Sequence, residues 1–355
     1  MKKHNFSAGP SILPQQVINQ ASKAIIELED TGLSLIEISH RSKEFISIME
    51  EATERIIKIT ELENKGYKAI FVQGGASLQF LMTAYNLLEK KGAYINTGTW
   101  SVKAIKEAKI LGEVFEVSSS KDKNFNYIPK NNIVPNDADY LHITTNNTIF
   151  GTQYKSFPNV PIPLIADMSS DIFSRKIDYS DFDLFYAGAQ KNMGPAGVTV
   201  VVIKESILNK VTREVPSMLN YNSYIKAGSM SNTPPVFAVY TTLLNLRWIE
   251  SQGGLKELDK RNKSKAELLY NEIDRNSCFS GFALKEDRSN MNVTFILKDE
   301  NLSADFNKIW EDNNINGLKG HRSVGGYRAS IYNALPIESV ELLVRCMQQF
   351  EEKFK

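Results

Sequence analysis

The chain has 355 residues, 42% of them hydrophobic and 23% charged, and a formal net charge of +1, which is typical of a globular protein and gives no basic surface for nucleic acid. Two cysteines and four histidines without metal-ligand spacing give neither a disulfide framework nor a metal site. No apolar run reaches the roughly 20 residues that span a bilayer, and the N-terminus lacks the apolar stretch of a signal peptide, so we expect a cytoplasmic protein that binds neither membrane nor nucleic acid.

An irregular arm and two helices are predicted at the N-terminus. Glycine and proline interrupt residues 1–14, so no regular element is expected there. Apolar residues at helical spacing predict a helix over 15–30, which a threonine and a glycine end. A second amphipathic helix follows the predicted N-cap Ser42, because the serine hydroxyl can accept from a backbone N–H of the first turn. This leaves His40 and Arg41 on the loop between the two helices.

Strands and helices alternate from about residue 69 onward, which predicts a mostly parallel sheet covered by helices on both faces. The predicted strands are 69–72, 93–96, 114–117, 140–144, 164–166, 184–186 and 198–203. In such sheets, ligands bind beyond the carboxyl ends of the strands. One site could therefore gather the residues that follow these ends, which are Ser77, Trp100, Thr148 and Asp167.

The second half of the chain predicts a smaller α/β unit. A helix is expected directly after Lys204, and the stretch 211–230 stays unassigned. The predicted elements after it are helices at 236–251, 255–274, 302–313 and 337–354 and strands at 292–297 and 329–332. We therefore expect a large domain over 15–255 and a small C-terminal domain over 256–355, joined by the arm 1–14.

The segment Gln-Gly-Gly-Ala-Ser at 73–77 lies between a predicted strand and a predicted helix and is a candidate anion site. Free backbone N–H groups and the helix dipole point at the same spot in such a turn, and Ser77 adds a hydroxyl. The segment matches neither a Walker A loop nor GxGxxG, and many α/β connections contain two glycines. The pattern alone leaves both a phosphate site and an ordinary turn open.

Lys191 lies among small residues at the turn between two predicted strands. Burial would lower its pKa and free the neutral amine to form a Schiff base with a carbonyl, whereas the alternative is a surface lysine in a hairpin loop. Asp167, at an earlier strand end, favours the first interpretation. A carboxylate keeps a pyridine nitrogen protonated while a lysine holds the aldehyde of pyridoxal 5'-phosphate (PLP). Trp100 offers a flat ring for the same cofactor.

The strings FVQGGASLQF, NTGTWS, ADMSSD, YAGAQKNMGPAG, SNTPP and GHRSVGGYRASIYNA resemble those of the phosphoserine aminotransferase family, which are fold-type I, class V PLP enzymes. The resemblance runs from NFSAGP at 5–10 to the C-terminal helix. It implies a large domain with a mostly parallel seven-stranded sheet and a smaller C-terminal α/β domain. It also implies a homodimer in which the cofactor site is shared between subunits.

The resemblance assigns roles to the residues that match the family's motifs. Lys191 would form the Schiff base with PLP and shuttle the proton, Asp167 would pair with the ring nitrogen, and Trp100 would stack on the ring. Thr148 would donate to the phenolic oxygen of the cofactor. The residues implied for the cofactor phosphate are Ala76, Ser77 and Gln190 and, from the neighbouring subunit, Asn232 and Thr233. Some family members carry Arg where Ser77 stands, so fewer charged groups would face the phosphate here.

The implied substrates are L-glutamate and 3-phosphohydroxypyruvate, which would give 2-oxoglutarate and O-phospho-L-serine in serine biosynthesis. Each substrate carries two anionic groups, so the site needs at least two cationic groups, and arginine offers planar bidentate recognition. The candidates lie in two loop stretches and are His40, Arg41, His321, Arg322 and Arg328. The resemblance implies that Arg328 holds the α-carboxylate. The others would meet the phosphate or the glutamate side chain, some of them from the partner subunit.

Other activities of the same fold are the main alternatives. Transfer between unphosphorylated 2-oxo acids would leave the additional His and Arg groups without an anion to bind. Cysteine desulfuration needs a reactive cysteine on a mobile loop. Cys346 lies in a helical pattern, and Cys278 is not near the sequence motifs of the phosphate site or of Lys191. A non-catalytic binding module would be expected to lack Lys191 or Asp167. Action on 3-hydroxy-2-oxo-4-phosphooxybutanoate, which gives 4-phosphooxy-L-threonine in pyridoxine biosynthesis, stays open.

Overall fold

The computed structural model describes residues 3–130 and 132–355, in which helices and strands alternate over most of the length. The helices are α1 (Gln15–Ile26), α2 (Lys43–Ile59), α3 (Gly75–Leu87), α4 (Thr99–Ala108), α5 (Tyr221–Lys226), α6 (Val236–Ser251), α7 (Gly254–Arg275), α8 (Ser303–Asp312) and α9 (Ile337–Phe354). The strands are β1 (His4–Asn5), β2 (Tyr67–Val72), β3 (Lys91–Asn96), β4 (Glu113–Ser119), β5 (Tyr140–Thr144), β6 (Leu164–Asp167), β7 (Leu184–Gly188), β8 (Thr199–Lys204), β9 (Phe279–Gly281), β10 (Asn292–Leu297), β11 (Ile315–Asn316) and β12 (Tyr327–Ser330).

The central sheet has the strand order β2-β8-β7-β6-β5-β3-β4, so it contains seven strands among the described residues. Strands β3 to β7 run parallel to one another, and β8 runs antiparallel to both of its neighbours, β2 and β7. The prediction of a mostly parallel sheet is therefore confirmed. The carboxyl ends of β5, β6 and β7 lie side by side at one edge, which is where ligands bind in sheets of this kind.

Both faces of this sheet are buried, which explains why its strands are continuous apolar runs. In β8, Val200 and Val202 pack into a core that includes apolar residues of α1, α2 and α6. Val201 and Ile203 point the other way, into a core that includes apolar residues of α3, α4 and α5. Helices on the two faces fix the sheet, and with it the strand ends that carry the site. Within the described ranges no helix is long and apolar enough to cross a membrane.

A second core lies in the C-terminal part, around the antiparallel sheet β12-β10-β9 and helices α7, α8 and α9. Phe6 of the N-terminal arm is fully buried in it, and the adjacent strand β1 pairs in parallel with β11. Helix α7 contributes Leu258 to the large core and Leu269 to this one. The arm was expected to be irregular, and β1, β9 and β11 were not predicted. The domain boundary between residues 255 and 256 stays a prediction.

Some predicted element bounds are wrong for identifiable reasons. Helix α1 ends at Ile26 instead of residue 30, because Glu29 and Gly32 adopt left-handed backbone conformations with φ of 49° and 69°. The helix predicted after Lys204 is only a 3₁₀ turn over Glu205–Ile207. Helix α3 begins earlier than predicted, which places the residues of the glycine-rich turn in its first helical turn. The predicted N-cap of α2 is confirmed: Ser42 Oγ accepts from Phe45 N at 3.3 Å.

Candidate active site

A cavity of about 320 Å³ lies beyond the carboxyl ends of the central strands, between the large core and β12. The predicted site residues that line it are Ala76, Ser77, Trp100, Thr148, Asp167, Gln190, Lys191, His321 and Arg328. The first seven lie at or just beyond the carboxyl ends of β2, β3, β5, β6 and β7, and some of them are in the helix that begins there. His321 and Arg328 come from the small unit. The fold thus brings together residues that are far apart in the sequence.

Lys191 lies in the tight turn that follows β7. The turn is fixed at its base, where Ala189 N donates to Val198 O at 3.0 Å, and the backbone carbonyl of Lys191 accepts from the Ser11 hydroxyl. The Lys191 ammonium donates to Thr148 Oγ1 at 2.9 Å and lies 5.5 Å from the centroid of the Trp100 ring. Burial lowers the pKa of this amine, although the charge of Asp167 opposes the shift. A larger fraction of this amine is therefore neutral and nucleophilic than for a lysine on the surface.

Asp167 is the last residue of β6 and is buried. Its Oδ1 accepts from Ser169 N at 2.9 Å. Burial raises the pKa of the carboxyl, and the positive charge of Lys191 opposes that shift. A buried carboxylate that lines the cavity can bind a protonated ring nitrogen.

The N-terminus of α3 forms one wall of the cavity. Gly74 precedes it with φ of 91°, and no side chain among the described residues caps the helix, so its first N–H groups are available to an anion. Trp100 lies in the first turn of α4, and its Nε1 is buried without a hydrogen-bond partner in the part of the chain that the structure describes. A flat ring, an anion site, a carboxylate and an amine line one cavity, and this combination fits PLP.

Two basic side chains enter the cavity from the opposite side. Arg328 on β12 donates through Nη1 to Thr148 O at 3.3 Å, and its buried Nε has no partner within residues 3–130 and 132–355. The ring of His321 accepts at Nδ1 from Ser323 N at 3.2 Å, which leaves Nε2 to donate when the ring is neutral. Burial and the nearby charges of Arg328, Arg322 and Lys103 lower the pKa of His321. This side of the cavity is therefore built for an anionic group.

Five predicted residues do not line the cavity of their own chain. They are His40, Arg41, Asn232, Thr233 and Arg322. His40 has a buried Nε2 without a partner in the described ranges, and Thr233 accepts through its backbone oxygen from Gln73 Nε2 at 3.0 Å. Thr233 is thus close to the glycine-rich turn without entering the cavity. The roles of these five residues stay predictions.

Gly75 of the predicted anion site also lines the cavity, whereas five further lining residues were not predicted, namely Ala8, Gly9, Phe80, Ile149 and Ser169. Ser169 binds the Asp167 carboxylate through its N–H and accepts from Gly188 N through Oγ at 3.3 Å. An Asp followed two residues later by a small polar residue is a turn signature that could have identified it. Ala8 and Gly9 have no such local signal, because the arm reaches the cavity through tertiary contacts: β1 pairs with β11, and Ala8 O accepts from the Tyr332 hydroxyl at 2.8 Å.

Comparisons with known proteins agree with this geometry. The family model described as aminotransferase class-V matches residues 3–343. The phosphoserine aminotransferase of Flavobacterium psychrophilum is 58% identical over 99% of this chain and 100% of its own. A solved phosphoserine aminotransferase from Bacillus circulans subsp. alkalophilus is 43% identical over 100% of this chain and 99% of its own, with a TM-score of 0.97. The PLP-bound phosphoserine aminotransferase from Trichomonas vaginalis is 38% identical over 98% of this chain and 100% of its own, with a TM-score of 0.92.

Proposed function

The chain belongs to the class-V aminotransferases and, within them, to the phosphoserine aminotransferases, and we propose that it transfers the amino group of L-glutamate to 3-phosphohydroxypyruvate. The products are 2-oxoglutarate and O-phospho-L-serine, as in serine biosynthesis. The observation that carries the proposal is one cavity lined by a partly buried lysine, a buried carboxylate and the basic side chains Arg328 and His321. The first pair suits amino transfer, and the second suits substrates with two anionic groups.

Residues of the large core would hold PLP. Asp167 would bind the ring nitrogen through its carboxylate, and Trp100 would lie against the ring. The N-terminus of α3 at Ala76 and Ser77 would bind the phosphate with Gln190. When bound, PLP supplies an aldehyde that condenses with the Lys191 amine or a substrate amine, and a ring that accepts an electron pair. The Asp167 carboxylate would keep the ring nitrogen protonated, which makes the ring a stronger electron acceptor.

Lys191 would also move the substrate proton. The neutral amine at Nζ can accept a proton from the substrate Cα, and burial favours the neutral form at a pH where an exposed lysine is charged. Thr148 Oγ1, at 2.9 Å from Nζ, orients the amine and would donate to the phenolic oxygen of the cofactor. Lys191 would therefore act first as the covalent anchor and then as general base and acid.

The anionic groups of the substrates would bind on the basic side of the cavity. Arg328 would hold the α-carboxylate, because its Nε is buried and unpaired while Nη1 is fixed by Thr148 O. His321 and Arg322 would bind the phosphate or the glutamate side-chain carboxylate. We place His40 and Arg41, and the cofactor-phosphate contacts of Asn232 and Thr233, in a homodimer whose subunits complete each other's sites. None of these four residues lines the cavity of its own chain, which is consistent with that arrangement.

The second candidate is transfer between unphosphorylated 2-oxo acids on the same fold. The cationic groups beside the cavity favour the phosphorylated substrate, since an unphosphorylated acid would leave them without an anion. The same groups would also accept 3-hydroxy-2-oxo-4-phosphooxybutanoate, which is the substrate class of the pyridoxine pathway.

Reduction and substrate comparison test the proposal. The purified protein should be yellow, should bleach with borohydride and should then carry the label on Lys191. It should convert 3-phosphohydroxypyruvate with glutamate much faster than it converts pyruvate or glyoxylate. Lys191→Ala should abolish turnover and keep the circular dichroism spectrum of the unmodified protein. A label on another lysine, or equal rates with the unphosphorylated acids, would contradict the proposal.

A further inference from the structure

Lys103 brings one more cation to the cavity, from the large core. It lies on α4 one turn after Trp100, and its Nζ is 4.8 Å from the centroid of the Trp100 ring. Trp100 itself lines the cavity together with His321 and Arg328. The Lys103 side chain is exposed and flexible, so its charge lies at the rim and can move toward a ligand in the cavity.

Lys103 belongs to a group of basic side chains without acidic partners. Its charge and those of Arg328 and Arg322 all lower the pKa of His321, which lines the cavity. In residues 3–130 and 132–355, neither Lys103 nor either arginine forms an ion pair with a carboxylate. Like charges that converge without counter-charges produce a positive potential that an anion relieves.

We propose that Lys103 determines specificity for the phosphorylated substrates by binding their phosphate group at the cavity rim. The inference rests on the proposed function, and it assigns a role to a residue that the sequence motifs did not identify. A phosphate ester carries close to two negative charges at neutral pH, whereas the glutamate side chain carries one. An additional ammonium therefore favours the phosphorylated substrate over glutamate, although both must use the same cavity.

The contact between Lys103 and Trp100 does not compete with this role. An exposed cation–π contact is weak, and a charge-assisted hydrogen bond to phosphate is stronger, so the ammonium can leave the ring for the ligand. The two roles have different consequences when the charge is removed. Loss of support for the Trp100 ring would weaken cofactor binding and affect both substrates equally. Loss of a phosphate contact would affect only the phosphorylated substrate.

Separate half-reactions of the PLP-loaded enzyme test the proposal. Lys103→Gln should raise the half-saturating concentration of O-phospho-L-serine about tenfold, as expected for one hydrogen bond between charged groups. The value for L-glutamate should change less than about threefold, and PLP affinity, titrated on the apoenzyme, should stay unchanged. Lys103→Arg should restore most of the affinity. Lys106→Gln, one turn further along α4, is the matched control and should behave as the unmodified enzyme. Inorganic phosphate should inhibit Lys103→Gln more weakly.

The outcomes separate the two proposals. Equal losses with both substrates, a loss of PLP affinity, or no change with O-phospho-L-serine would each overturn the role of Lys103. If the unmodified enzyme reacts with glutamate but not with O-phospho-L-serine, the proposed function fails instead. If Lys103→Gln loses affinity for O-phospho-L-serine alone and Lys106→Gln behaves as the unmodified enzyme, both proposals are supported.

Discussion

Lys191 and Asp167 line the same cavity, and burial acts on their pKa values in opposite directions. It lowers the pKa of the Lys191 amine and raises that of the Asp167 carboxyl, while the attraction between the two charges opposes both shifts. Burial therefore favours the neutral forms of the Lys191 amine and the Asp167 carboxyl more than water does. The pair can supply the neutral Nζ that condensation with an aldehyde requires.

This pairing predicts how PLP uptake depends on pH. The neutral fraction of Lys191 grows as pH rises through its pKa, and this pKa lies below the usual 10.5. The rate at which apoenzyme binds PLP, followed by absorbance, should therefore level off below pH 10.5. In Asp167→Asn the plateau should begin at lower pH, because the negative charge that raises the lysine pKa is gone.

Asp181→Asn provides the control, since Asp181 lies in the 3₁₀ turn before β7 and has no contact with the cavity. Its uptake profile should match that of the unmodified enzyme. A rate that continues to rise through pH 10.5 would show that Lys191 titrates as an exposed lysine, and the proposed environment of the amine would then be wrong.

Individual site residues could be predicted where the local sequence marks the end of a strand. Lys191 follows a strand among small residues, and Asp167 ends one, so both were placed correctly at the cavity. His40 and Arg41 were identified by residue type, but their own chain does not bring them to the cavity. A sequence cannot say which copy of the chain completes a site. Lys103 was missed because a lysine on a helix surface has no motif.

The start of α3 is the element on which the anion site depends. Gly74 has φ of 91°, and a Cβ there would lie 2.5 Å from Leu78 Cδ2. Relief of this contact requires the first turn of α3 to shift, so Gly74→Ala should misplace the N–H groups of the anion site and weaken PLP binding at least about tenfold, as expected for the loss of one hydrogen bond to a charged group. Titration of the apoenzyme with PLP measures the effect.

Gly66→Ala separates backbone strain from damage to the site. Gly66 also has a positive φ, 79°, but a Cβ there would have nothing within 4 Å. This variant should lose about 1 kcal/mol of unfolding free energy and keep normal PLP affinity. If both variants bind PLP as the unmodified enzyme does, the N-terminus of α3 is not the phosphate site.

Element bounds were predictable where local sequence marks them. The prediction of α6 and α9 is confirmed at both ends, and each follows a proline, at 235 and 336, that stops the preceding segment. The helix predicted after Lys204 is wrong because Ile207 and Leu208 are buried against the sheet in a short turn. Their burial comes from tertiary packing, which a helical pattern does not distinguish from an amphipathic face.

At the scale of the whole molecule, the proposed shared site predicts complementation. Lys191→Ala and Arg41→Ala should each be inactive alone. When the two are co-expressed, a hybrid dimer has one site with Lys191 intact and Arg41 donated by the other subunit. With random pairing, half of the dimers are hybrids and each has one intact site, so about a quarter of normal activity should return.

Lys191→Ala co-expressed with Asp167→Ala is the control, because both residues line the cavity of one chain. This pair should recover nothing, since each site of the hybrid lacks one of the two residues. An absence of recovery with Arg41→Ala as well would place Arg41 in its own subunit's site and contradict the shared arrangement.

The overall architecture was predictable from the alternation of strands and helices, and the resemblance to a known family gave the sheet its strand number. The attachment of the arm was not predictable in detail. Strands β1 and β11 have two residues each, and the neighbouring Phe6 is buried in the small core. Pairs this short carry no periodicity that sequence reasoning can detect.

The pairing of β1 with β11 has a consequence for synthesis on the ribosome. Asn5 and Asn316 lie 311 positions apart, so the first strand to emerge must wait for almost the whole chain before it finds its partner. Until then the contacts of the arm with β11 and with the Tyr332 hydroxyl cannot form, although β5, β6 and β7 have long been translated. A nascent chain therefore carries its lysine and carboxylate in an open cleft, and the site is completed only near the end of translation.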